Sequence, residues 1–234
     1  MREKSIKSKC NEKRGIPTEK GYMAWKRTNE AHSSGTGTMT YDPIAMRTVD
    51  TLSTAETKVY WILRFFDGVS AIYEQYPMEQ WIVDEICDEM GVRRKNALST
   101  DFYVEFVDGS VMGVSVKQNR DVFDKARKGY DRLVVRQRIE QIYWTEKFPV
   151  YKGKKSGFRI VFGDEINRVL ISNIKAVMKY WDTEFVSDPT SKLKHLIAHK
   201  VIRMDLSKEP LRFAKIAESI DVEGMYETYR NETK

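Results

Sequence analysis

The chain has 234 residues, 41% of them hydrophobic with five Trp, enough for one large domain or a medium domain with a small appendage. Its formal charge of +6 is segregated: residues 1–27 carry nine basic and three acidic side chains, 28–116 six and fourteen, 117–159 thirteen and five, and 160–234 twelve of each. Two cysteines allow neither a disulfide framework nor a zinc quartet and no apolar run suits a membrane span or a signal peptide, so a reducing cytoplasm is the expected setting, while the absence of P-loop, G-x-G-x-x-G and H-E-x-x-H motifs speaks against a nucleotide-cofactor or zinc-peptidase role.

An acidic section bracketed by basic ones suits carboxylates that collect metal ions beside segments that grip phosphate, although charge blocks also simply solvate surfaces. Residues 1–47, rich in Lys, Ser, Gly and Thr around H-S-S-G-T-G-T, read as a basic, largely irregular arm, with Trp25 and Tyr41 as docking points. Ser53 then opens an amphipathic helix with Val59, Ile62, Leu63 and Phe66 at helical spacing, stopped by Gly68. Glu56 lies on its buried side. Two roles stand open for it: a capping box with Ser53, or a functional carboxylate.

Residues 69–76 read as a strand and 78–90 as a helix with Trp81, Ile82, Ile86 and Met90 on one side. Residues 99–117 form a predicted β-hairpin about Asp108-Gly109-Ser110, with Asp101, Tyr103 and Glu105 on one face. Antiparallel pairing brings Asp101 and Lys117 to the same end of the sheet. Such a pair is either a surface ion pair or the carboxylate and cation of metal-dependent phosphodiester cleavage.

Residues 121–144 read as mostly helical. Lys125, Lys128, Arg132 and Arg136 then share about 80° of arc and form a candidate DNA-binding stripe, which breaks in two if Gly129 interrupts the helix. Glu140 belongs to the same segment. Residues 158–162 make a last strand, and helix, strand, helix, hairpin, helix, strand is an α/β order with a mixed sheet. Beyond it, residues 164–181 form an amphipathic helix, and Ser187-Asp188-Pro189 caps another that carries His195 and His199 at i, i+4 without a third metal ligand. The stretch from Ser207 has a helix-turn-helix rhythm. Its neutral charge favours docking of a partner over reading of bases.

The succession L-S-T-A-E-T-K-V-Y-W-I-L (52–63), I-Y-E-Q-Y-P-M (72–78), L-S-T-D-F-Y-V (98–104), V-S-V-K (114–117) and R-I-E-Q-I-Y-W (138–144) resembles the TnsA-type endonuclease subunit of heteromeric cut-and-paste transposases. The resemblance implies a restriction-endonuclease-like domain at 48–163 and a small helical or winged-helix-like partner-binding domain at 164–234. It implies Glu56, Asp101 and Lys117 as catalytic residues. Mg²⁺, one or two ions with Mn²⁺ as substitute, would be held by Glu56, Asp101 and the Val116 backbone carbonyl, with Ser115 and Glu140 as further candidate ligands. One departure is Ser115, where such nucleases usually carry Glu or Gln two residues before the lysine. The implied activity is hydrolysis of the 5′ strands at transposon ends, together with an end-binding transposase and an ATPase regulator, in a bacterial or phage-borne element. The alternatives are a catalytically weak assembly subunit and a stand-alone restriction or resolvase-type nuclease.

Overall fold

The computed structural model describes residues 4–19, 21–30, 36–93 and 96–233. The chain divides into two compact units, one of Met1–Tyr41 with Arg47–Glu165, the other of Asp42–Met46 with Ile166–Lys234. Among the described residues, no helix is long and apolar enough to cross a membrane.

The first unit is built on a four-stranded mixed sheet. Strands β3 (Val69–Pro77), β4 (Ser99–Phe106) and β5 (Val111–Lys117) are antiparallel neighbours, and β6 (Ser156–Phe162) lies parallel to β5. Gly109, at φ +80°, supplies the left-handed residue of the expected β4–β5 turn. Helices flank both faces of the sheet. Helix α2 (Thr54–Phe65) packs on β3 and β5, and its Tyr60 meets Phe102 of β4 at a ring distance of 6.1 Å. Tyr103, one residue on, points to the opposite face and stacks on Trp144 at 5.4 Å. Trp144 lies in a π-helical turn (Tyr143–Lys147) that joins α4 (Tyr130–Ile142) to α5 (Phe148–Lys152). With α3 (Gln80–Glu89), these elements bury Ile82, Val83, Ile86, Ile139 and Phe148.

Three sequence expectations change here. The arm, read as largely irregular, carries α1 (Ile6–Asn11) and a two-stranded ribbon of β1 (Thr38–Asp42) and β2 (Arg47–Thr51). Trp25 is buried within it whereas Tyr41 is exposed, and residues 31–35, most of its H-S-S-G-T-G-T centre, lie outside the described residues. On α3, Trp81 is 54% exposed against Tyr151, and Val83 and Cys87 take the inward positions instead. The helix expected over 121–144 starts only at Tyr130. Residues 120–129 are a 3₁₀ turn (Arg120–Phe123) and further tight turns, ending at Gly129 with φ +90°.

The second unit is helical. Helix α6 (Arg168–Met178) begins later than the expected 164 because the Asn167 side chain caps it, accepting from Val169 and Leu170 N–H. Helix α7 (Pro189–Ala198) has the expected cap, a reciprocal box of Asp188 and Ser191. Two short helices follow, α8 (Phe213–Ser219) and α9 (Val222–Glu232). Among the described residues 166–233 there is no strand to form a wing.

Candidate active site

The β3–β4 register, Glu74 opposite Phe102 and Tyr76 opposite Thr100, sets Gln75 across from Asp101. On the other side, Phe102 opposite Val114 sets Ser115 across from Asp101. Residues directly opposed in antiparallel strands project to the same face, so Gln75, Asp101 and Ser115 form one polar row across the sheet. All three are buried, with Asp101 9% exposed. The ladder opens at this row. Asp101 Oδ2 accepts from the Val116 backbone N–H at 2.6 Å, taking the place of a strand carbonyl.

Glu56 enters from the first turn of α2. Ser53 Oγ accepts from Glu56 N–H at 3.1 Å and donates to Glu56 Oε1 at 2.9 Å, while Leu52 N–H donates to Oε2 at 2.9 Å. Ser53 caps the helix as expected, but the reciprocal half of the box differs: the Glu56 carboxylate accepts from the Leu52 N–H and not from the Ser53 N–H. That leaves the same carboxylate turned to the polar row, where Gln75 Nε2 lies 3.3 Å from Glu56 Oε2 and 3.2 Å from Asp101 Oδ1. Burial first, and the neighbouring Asp101 carboxylate second, push the Glu56 carboxyl up to about 7.

Lys117 closes the site on β5. Its Nζ donates to Ser115 Oγ at 2.7 Å and to the Val116 carbonyl at 3.1 Å, and lies 3.9 Å from Asp101 Oδ2. Glu140, fully buried on α4, receives Arg136 Nε at 2.7 Å on Oε1, and its Oε2 has no hydrogen-bond partner. Burial raises the Glu140 pKa, opposed by Arg136 and reinforced by Asp101. Arg136 also donates to the Ser99 carbonyl at 3.0 Å, which anchors α4 to the start of β4.

Two carboxylates linked through a neutral amide, beside a backbone carbonyl, are oxygen donors of the kind a hard divalent cation takes, and Glu140 on α4 keeps a buried carboxylate oxygen without a partner. Among the described residues, no three His, Cys, Asp or Glu side chains form a metal-binding group.

The expected basic stripe does not form as one helical face. Lys125 and Lys128 lie in the turns before α4, Arg132 is exposed on it, and Arg136 is drawn inward to Glu140. His195 and His199 are committed elsewhere, with ring nitrogens 2.8 Å from the Tyr180 and Trp181 carbonyls. Burial lowers the His195 pKa, as befits a structural ring. Gln75, inside I-Y-E-Q-Y-P-M, is a site residue that no local sequence pattern singles out. The available signal was a polar amide inside a strand whose neighbours pair with the Asp101 segment.

No family model matches the chain. It is similar to the transposon Tn7 transposition protein TnsA of Escherichia coli, 26% identical over 211 residues, an alignment covering 85% of this chain and 72% of that protein. This similarity suggests a TnsA-like protein, and the α/β unit with its helix-flanked mixed sheet is consistent with a nuclease-like fold.

Proposed function

We propose that the chain is the DNA-cleaving subunit of a transposition complex, hydrolysing the 5′ strands at the ends of a mobile element. One observation carries the reading: Glu56, Asp101 and Lys117, from three elements far apart in sequence, meet in one hydrogen-bonded row through Gln75 and Ser115. The similarity to a Tn7 transposition protein supports the same process.

In this reading Glu56, Asp101 and the Val116 carbonyl would hold Mg²⁺, with Glu140 as a supporting carboxylate on α4. When bound, Mg²⁺ supplies an activated water and charge neutralisation at the scissile phosphate. Lys117, held by Ser115 Oγ, aims its ammonium at the edge where negative charge develops on the phosphate. Ser115 in this reading orients the lysine and is not a metal ligand. The exposed Lys125, Lys128 and Arg132 contact the DNA backbone, and the helical second unit docks the end-binding transposase or an ATPase regulator.

The test is incubation of the protein with its partner transposase and transposon-end DNA in Mg²⁺ or Mn²⁺. Asp101→Ala and Lys117→Ala should abolish 5′ nicks and convert simple insertions into fused donor–target products. Unchanged simple insertions in both variants overturn the nuclease role and leave an assembly subunit.

A further inference from the structure

We infer that Gln75 is a positioning residue of this site and that the N-terminal arm fixes its conformation, an inference that rests on the proposed nuclease reading. Gln75 is 2% exposed, and all of its amide is engaged. Its Oε1 accepts from Ser99 Oγ at 3.3 Å, which turns the Nε2 hydrogens toward Glu56 and Asp101. The opposite orientation would set a carbonyl oxygen against two carboxylates. One neutral amide therefore holds two buried acids in a shared orientation without discharging either.

The backbone is as unusual as the side chain. Gln75 has φ +47° inside a strand, a left-handed conformation that costs a non-glycine residue about 1 kcal/mol and persists only where its surroundings impose it. Those surroundings belong to the arm. Strand β3 is an edge of the four-stranded sheet, and its outward carbonyls would lack partners. Trp25 N–H donates to the Gln75 carbonyl at 3.3 Å, and Tyr22 Oη donates to the Glu74 carbonyl at 2.8 Å. Arg47 grips both Glu74 carboxylate oxygens, at 2.8 and 2.7 Å, and the Ile72 carbonyl at 2.9 Å. The Tyr22 ring lies on Arg47 and edges against Tyr73. The arm thus clamps the two peptide units that set the direction of the Gln75 side chain.

The test compares the full-length wild type with Gln75→Leu, Gln75→Asn and Tyr22→Phe in two readouts. One is Mn²⁺ binding by the isolated chain, followed by electron paramagnetic resonance; the other is the Mg²⁺ midpoint of 5′ nicking with the partner transposase. Gln75→Leu should weaken Mn²⁺ binding at least tenfold and raise the Mg²⁺ midpoint to match, with the nicking rate at saturating Mg²⁺ within threefold of wild type. If Gln75→Leu does not fold, Gln75→Asn, one methylene too short to bridge both acids, should give the same shift. Tyr22→Phe should move the midpoint two- to fivefold in the same direction. Wild-type midpoints in the folded Gln75 variants overturn the positioning role, and a wild-type midpoint in Tyr22→Phe alone overturns the part given to the arm. Asp101→Ala separates the two levels: nicking that survives it overturns the nuclease reading itself, whereas its loss beside normal Gln75 variants overturns only this inference.

Discussion

Lys117 Nζ donates to Ser115 Oγ at 2.7 Å, so the serine two positions before the lysine serves as its acceptor, next to Asp101 Oδ2 at 3.9 Å from the same ammonium. A hydrogen bond to a charged group contributes about 1.5–3 kcal/mol, and its loss in a site where the ammonium must be aimed appears in rate. Ser115→Ala should therefore slow single-turnover nicking by about tenfold or more at saturating Mg²⁺, read at a temperature where the variant is fully folded. A metal ligand at this position would instead raise the Mg²⁺ midpoint and leave the saturated rate near normal. The two patterns separate cleanly in one titration.

Glu56 gives the site a pH signature. Its folded pKa of about 7 lies above the ordinary value of 4.5, so between these values the folded chain holds a proton that the unfolded chain has released. The stability this contributes is fully present below pH 4.5 and is lost as pH rises through about 7. Melting temperature without metal should fall from pH 5 to pH 8, and Glu56→Gln should flatten that slope. Because a cation binds the ionised carboxylate, millimolar Mg²⁺ should raise the melting temperature more at pH 8 than at pH 5.5, and EDTA should remove the gain. Equal Mg²⁺ effects at the two values would mean that Glu56 does not contact the ion.

Arg136 is a structural cation in this fold. Its Nε holds Glu140 Oε1 at 2.7 Å while Glu140 is fully buried, so Arg136→Ala strands a buried carboxylate and should cost about 3 kcal/mol in urea unfolding, more at pH 8 than at pH 5. Replacing both residues with Met should recover most of the loss. By contrast, Lys125→Ala, Lys128→Ala and Arg132→Ala should leave stability within about 0.5 kcal/mol and each lower the salt dependence of DNA binding by about one unit of slope. If Arg136→Ala behaved like these three, its place would be on the DNA surface.

Local signals made the framework readable. Ser53 and Glu56 marked the start of α2, and the alternation on either side of Asp108-Gly109 marked the hairpin that pairs Asp101 with the Lys117 end of β5. What stayed hidden was set by partners distant in the chain. Arg136 has helical spacing with Arg132, but the buried Glu140 and the Ser99 carbonyl draw it inward. Gln75 acquires meaning only when register sets it opposite Asp101 and the arm holds its backbone at φ +47°. The arm itself is low in hydrophobic pattern; its order comes from ion pairs such as Arg14 with Glu30, at 2.6 Å, and from edge-strand carbonyls, which composition does not reveal.

Gly113 tests how tightly the sheet face that carries the site is packed. It lies opposite Tyr103 across the β4–β5 pair, where Trp144 covers the strand, and a Cβ built there would come within 2.2 Å of the Trp144 indole nitrogen. Trp144 is fully buried between Tyr103 and Phe148, so it has no free side to retreat to. Gly113→Ala should therefore destabilise the first unit by about 1–3 kcal/mol through overpacking. The shift should propagate along β5 to Ser115 and Lys117, two and four residues on, so nicking should fall even at temperatures where the variant is fully folded. Indole fluorescence of Trp144, isolated by replacing the other four tryptophans with Phe, should change with the substitution. A stable and fully active Gly113→Ala would show that β5 can move away from Trp144 without disturbing the acids and the lysine above it.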